Sequence, residues 1–220
     1  MADLNFSLKL LTTGQEIAKG ILDQCVYEIN RRVMTGSMRN ELRRMTQAIL
    51  ESAIMAQPEY DSLMGGVLKA ELGIADSSAV DSIIRTWVRG VDVIVAPATV
   101  VGPKIIGDII ITAIPADYSD VLNTSAASYV TDKGQTIPWL SWLLLQGDNI
   151  VIATHQAIYD PDKTASSRTG TDIMIPTSGE GWRVPPEFSG TVDNNFVTRA
   201  IIDALRDLRP ALESAIRSRL

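Results

Sequence analysis

One cysteine and one histidine serve 220 residues, and that scarcity removes whole classes of chemistry. Cys25 alone forms no internal disulfide, and His155 alone gives no Cys/His cluster with zinc spacing. A lone thiol fits a reduced, intracellular protein. Aromatics are only 5% of the chain, so the core has to be built from Ile, Leu, Val, Met and Ala. Positive charge is outnumbered, with 20 Lys and Arg against 26 Asp and Glu and a net charge of −6. An acidic domain is a poor candidate for wrapping a phosphate backbone, although it suits a channel that DNA crosses without adhering. Long apolar runs are missing too. A membrane span takes about 20 apolar residues, and the stretch from Ile137 to Leu145 is far too short. Met1 to Gly14 lacks an apolar run with a cleavage pattern behind it, so a soluble chain without a signal peptide is expected. Gly65-Gly66 makes neither a G-x-G-x-x-G nor a Walker loop, and nucleotide binding has no support.

What the chain does have is order in its periodicity. Ile17, Ile21, Leu22, Cys25, Val26, Ile29 and Val33 recur at helical spacing. Met38, Leu42, Met45, Ile49 and Ile54 form a second stripe, with Ser37 as its expected cap. A helix is expected from Asp61 to Leu72. Another opens at Ser78 with a capping-box pattern to Asp81 and carries Val80, Ile83, Ile84, Trp87 and Val88. From Val91 the character changes: Val91–Val95 and Ile105–Ile114 are β-branched runs that read as paired strands. Asp108 stands inside the second as a gatekeeper. A short helix from Trp139 to Leu145, a strand from Ile150 to Tyr159, and short strands at 172–175 and 182–184 follow. A final helix begins near Asn195, with Pro210 expected to kink or end it. Helices first and strands after predict an α+β single domain over 1–220. Its helical part is 1–90; a small, mainly antiparallel sheet, long loops and a C-terminal helix occupy 91–220.

Catalytic groups are hard to find. Cys25 sits on an apolar helical stripe, where a thiol behaves as a small hydrophobe, and its pairing with His155 lacks the electropositive setting an activated thiol needs. No base points to any serine. Asp117 with Asp120, and Asp160 with Asp162, lie in turn-forming sequence and miss the EF-hand spacing. No catalytic residue, metal ligand or cofactor is assigned, and the chain is read as a non-enzyme. Arg31, Arg32, Arg39, Arg43 and Arg44 form the one basic concentration, which reads first as the solvated side of an amphipathic helix and second as a contact for DNA or an acidic neighbour. Trp139 and Trp142 share a helical face, which reads as core or as an apolar interface patch.

The most heavily specified sequence is C-terminal: Ser167-Arg168-Thr169-Gly170, then Trp182-Arg183-Val184-Pro185-Pro186-Glu187-Phe188, then Asn195-Phe196-Val197-Thr198-Arg199-Ala200. With Pro138-Trp139-Leu140, this third of the chain resembles virion structural proteins of tailed bacteriophages. The overall layout is similar to that of neck and tail-completion proteins at the head–tail junction. The resemblance implies a virion protein that forms a head-to-tail ring with itself, six- or twelvefold, around the DNA channel. Its partners would be neighbouring neck, connector or tail proteins, with passing DNA contacted non-specifically at most. Loops at 160–170 and 179–191 would then reach the neighbouring subunit. In that setting Pro185 and Pro186 hold an arm extended, Trp182 and Phe188 anchor it, and Arg168 and Arg183 pair with carboxylates next door. Trp139 and Trp142 are further candidate contacts. The alternatives are a tail-tube or baseplate subunit, a soluble adaptor using the Trp139/Trp142 patch, and a small hydrolase with Cys25 or a serine as nucleophile.

Overall fold

The computed structural model describes residues 12–113, 118–131, 134–159, 172–179 and 181–220. Within these the chain is α+β. It runs α1 (Gly14–Val33), α2 (Gly36–Met55), α3 (Pro58–Gly65), α4 (Val67–Glu71) and α5 (Ser78–Arg89). Strands β1 (Asp92–Val95), β2 (Thr99–Val101), β3 (Lys104–Ile106) and β4 (Ile109–Thr112) come next, then α6 (Ser119–Leu122). After these lie β5 (Tyr129–Val130), β6 (Thr136–Ile137), α7 (Trp139–Leu145), β7 (His155–Tyr159), β8 (Asp172–Pro176) and α8 (Phe196–Arg217).

The helical half departs from the sequence reading in its punctuation. Thr35, not Ser37, caps α2, its hydroxyl accepting from the Met38 N–H at 3.2 Å. The expected helix from Asp61 to Leu72 is two helices broken at Gly66. There a Cβ would come within 2.9 Å of the Ser62 backbone, and the Ser62 hydroxyl accepts the Leu68 N–H at 3.0 Å. The Ser78 capping box does not form. Instead Asp76 accepts from the Ser78 N–H and hydroxyl ahead of α5, an Asx-type turn.

The strands form four separate two-stranded antiparallel ribbons among the described residues, in place of one small sheet: β1–β4, β2–β3, β5–β6 and β7–β8. Gly107-Asp108 splits the expected run from Ile105 into β3 and β4, so the β2–β3 hairpin is nested inside the β1–β4 ribbon. Of the short strand expected at 182–184, only Trp182 pairs, as a bridge to Ile152.

Two apolar clusters share the interior. One gathers α5, α7 and the start of α8 around Ile83, Trp87, Trp139, Leu143, Trp182 and Phe196. The other packs α2 and α8 over the inner face of β1–β4 through Met38, Leu42, Val93, Ala204 and Leu208. Ala53 and Ile201 touch both. The α2–α8 seam follows from spacing. Met38, Leu42, Thr46, Leu50 and Ile54 step by four along α2, and they face Val197, Ala200, Ala204, Leu208 and Leu212 of α8. The alanines let the two helices approach closely. α8 runs on through Pro210 without ending there.

Gly181 holds the Trp182 bridge in place. Its φ is +83°, and a Cβ there would stand 2.4 Å from the Ile152 carbonyl oxygen. Gly181→Ala is expected to cost about 2 kcal/mol of unfolding free energy, since strain and clash act together. A urea-unfolding midpoint equal to that of the parent protein would contradict this.

Candidate assembly surface

Helix α1 begins with a reciprocal cap. The Thr13 hydroxyl accepts from the Glu16 N–H at 3.3 Å, and the Glu16 carboxylate accepts from the Thr13 N–H at 2.8 Å. These bonds hold the Glu16 carboxyl below its ordinary range. At the other end Arg31 pairs with Glu28 at 2.8 Å. The helix is thus well formed locally, yet Val33 is its only fully buried residue. Its attachment to the rest of the chain lies near its C-terminal end. The Asn30 side-chain amide clamps the Ala98 backbone, donating at 3.0 Å and accepting at 2.8 Å. Ahead of that clamp, the row Ile17, Ile21 and Cys25 is exposed, Ile21 by 59% and Tyr27 by 61%. Of the apolar stripe, Ile17, Ile21 and Cys25 face solvent, while Leu22, Val26 and Ile29 are half-buried.

Beside the attached end of α1 lies an apolar groove of about 570 Å³. Ile29 and Val33 of α1 form one wall, and Leu208, Leu212 and Ile216 of α8 the other. Val95, Ile109 and Ile111 of the β1–β4 ribbon also line it. The ribbon's outer face is uncovered as well: Ile94 and Ile110 are direct cross-strand partners, and both are exposed.

The residues singled out from sequence are distributed differently. Arg168, the loop at 160–170, and Asp117, Asp160 and Asp162 lie outside the described residues. Trp139 is core, its indole N–H donating to the Ala126 carbonyl at 2.9 Å. Trp182 is also core, its N–H bonded to the Glu71 carboxylate at 2.9 Å. Half-buried Trp142 packs on Trp182 with ring centroids 5.7 Å apart. The indoles of Trp139 and Trp182 are therefore used inside the subunit: Trp139 takes the core reading of its helical face, and Trp182 is buried within its own chain. Pro185 and Pro186 do not extend an arm. The Pro185 carbonyl accepts from both Phe188 and Ser189 N–H groups, closing a turn, and Phe188 packs half-buried on the core. Arg183 and Pro186 are exposed.

The Asn195–Arg199 motif is structural. Asn195 is buried and caps α8: its side-chain oxygen accepts from the Val197 and Thr198 N–H groups, each at 3.1 Å. Its amide nitrogen donates to the Tyr118 hydroxyl and the Thr191 carbonyl, each at 2.9 Å. Burial raises the Tyr118 hydroxyl above its usual range, so it stays protonated, and the bond from Asn195 offsets part of that rise. One turn on, Arg199 is paired with Glu59, a carboxylate with no exposed surface. The other Glu59 oxygen is buried without a partner among the described residues. Of the basic concentration, Arg31 and Arg32 pair with Glu28 on α1, and half-buried Arg43 reaches from α2 to Asp92 of β1.

Cys25 is exposed on α1, and His155 shares a hydrogen bond with the Thr154 hydroxyl at 2.9 Å; no hydrogen bond joins the two. Among the described residues no group of three His, Cys, Asp or Glu side chains is placed to hold a metal ion, and no helix is long and apolar enough to cross a membrane. No protein family, curated protein or solved structure matches the chain.

Proposed function

We propose that this chain is a structural subunit of a tailed-phage virion, one that assembles with copies of itself into a ring at the head–tail junction around the DNA channel. The observation that supports the reading best is α1. A 20-residue helix that buries one residue gains little from its own chain, whereas most helical stability in proteins comes from packing an amphipathic face against a partner. Its exposed Ile17–Ile21 row and the uncovered groove are two different surfaces on one subunit. Contact between unlike surfaces is head-to-tail, and such contacts close into rings when the rotation per subunit allows. A ring also multiplies the net charge of −6, which favours a channel that does not hold DNA.

Two measurements test this. In a gentle lysate of its source, the chain should sediment with DNA-containing particles at a few copies each; confinement to fractions of one or two chain masses would sink the reading. Copies stacked along a tail would favour a tail-tube subunit instead. Separately, Ile17→Glu with Ile21→Glu should abolish self-association in analytical ultracentrifugation. Unfolding free energy should change by no more than about 0.5 kcal/mol, because both side chains are exposed. Unchanged association would remove α1 from the interface.

A further inference from the structure

The groove between α1 and α8 has a matching occupant in the sequence. Ahead of the described residues the chain reads Leu4-Asn5-Phe6-Ser7-Leu8-Lys9-Leu10, a strict alternation of apolar and polar residues over seven positions. That is the pattern of a segment presenting one apolar edge in extended form. We propose that residues 4–10 of one copy occupy the groove of a second copy, so that each subunit gives one arm and receives one. This inference rests on the reading that the chain self-assembles, and it names the contact.

The dimensions agree. Leu205 to Ile216 of α8 line the groove, which at 1.5 Å per helical residue is about 17 Å. Leu4 to Leu10 in extended form spans about 20 Å. The groove's apolar lining suits Leu4, Phe6, Leu8 and Leu10, and Asp108 at the same groove complements Lys9; Glu213 there is already paired with Arg209 at 3.1 Å. The strands that line it, β1, β3 and β4, each have a single partner among the described residues, which leaves edge groups for an extended segment to pair with.

Reach separates a neighbour's arm from the chain's own. Gly14 opens α1, and Ile29, the first groove residue on that helix, lies about 22 Å further along it. Running back from Gly14 at a maximum of about 3.6 Å per residue, Leu10 covers about 14 Å and Leu8 about 22 Å. Only Phe6 and Leu4 could then enter their own groove. A second copy can seat all four.

The test uses full-length chains in a Cys25→Ser background. Ser7→Cys marks the middle of the arm on its polar side. Arg209→Cys marks the middle of the α8 wall, where the side chain is 85% exposed. With both on one chain, a short thiol-to-thiol cross-linker should yield a ladder of dimers, trimers and higher products on a denaturing gel. A mixture of the two single variants should stop at dimers, and either variant alone should give none. Adding Phe6→Asp and Leu8→Asp should weaken the ladder at least about tenfold, as expected for loss of more than 1.4 kcal/mol of binding. A monomer bridged internally, an associating chain without a ladder, or a chain monomeric at every concentration each overturns the proposal. Rings without the ladder would refute the arm and leave the assembly reading standing. A ladder from a chain that never travels with particles would do the reverse.

Discussion

Arg199→Leu is expected to lower the unfolding free energy by about 3 kcal/mol. The change would leave Glu59, which has no exposed surface, without the guanidinium that faces it, while its second oxygen already lacks a partner. Breaking a buried pair from one side costs about 3–5 kcal/mol because a charge is left uncompensated. Arg199 is itself 36% exposed, and water reaching that side places the loss at the low end. Replacing both partners distinguishes a stranded charge from simple loss of packing. Glu59→Leu with Arg199→Leu should recover most of the loss, since an apolar pair of similar volume tolerates burial. Urea unfolding of the two single variants and the double supplies the cycle. A double variant as unstable as the sum of the singles would mean that charge is not the cause.

The Asn195→Ala variant should lose a comparable amount, about 3 kcal/mol. Removal of a helix N-cap costs about 1–2 kcal/mol, and here the cap also donates to the Tyr118 hydroxyl and the Thr191 carbonyl inside the protein. Stranded buried polar groups add about 1–3 kcal/mol. The addition is on the small side, because Thr191 keeps the Asn194 N–H at 3.2 Å and Tyr118 can still donate to the Val192 carbonyl at 3.4 Å. Asn195→Asp separates the two roles: it retains the capping oxygen and removes the donor, and should fall between Ala and the parent. A loss below 1 kcal/mol for the alanine variant, read from thermal unfolding, would show that the cap acts alone or not at all.

Helical periodicity carried the α+β order and the positions of α1, α2, α5, α7 and α8. What it did not carry was which face would find a partner. Ile17, Ile21 and Cys25 have the same spacing as Met38, Leu42 and Thr46, yet the first row is exposed and the second buried, because α8 returns to cover α2 and no element among the described residues covers the start of α1. The dense C-terminal motifs misled in the other direction. Trp182 looked like an outward contact because tryptophan and arginine mark interfaces, and Asn195 looked like no more than the start of a helix. They are buried by partners far away in sequence, Glu71 and Tyr118, and no local pattern announces such pairs. The groove was equally hidden, since its walls come from three separate stretches of chain.

The seam between α2 and α8 also sets a timetable. Roughly 140 residues separate the end of α2 from the start of α8, and at a synthesis rate of about 5–20 residues per second they take roughly 7–30 s to produce. Throughout that interval α2 lacks the helix that covers Met38 and Leu42, although α5 and β1, made earlier, can already pack on its C-terminal part. Nascent chains thus carry a partly bare apolar stripe for most of translation, and the yield of folded protein is expected to depend on how well the cell shields it until the last helix emerges.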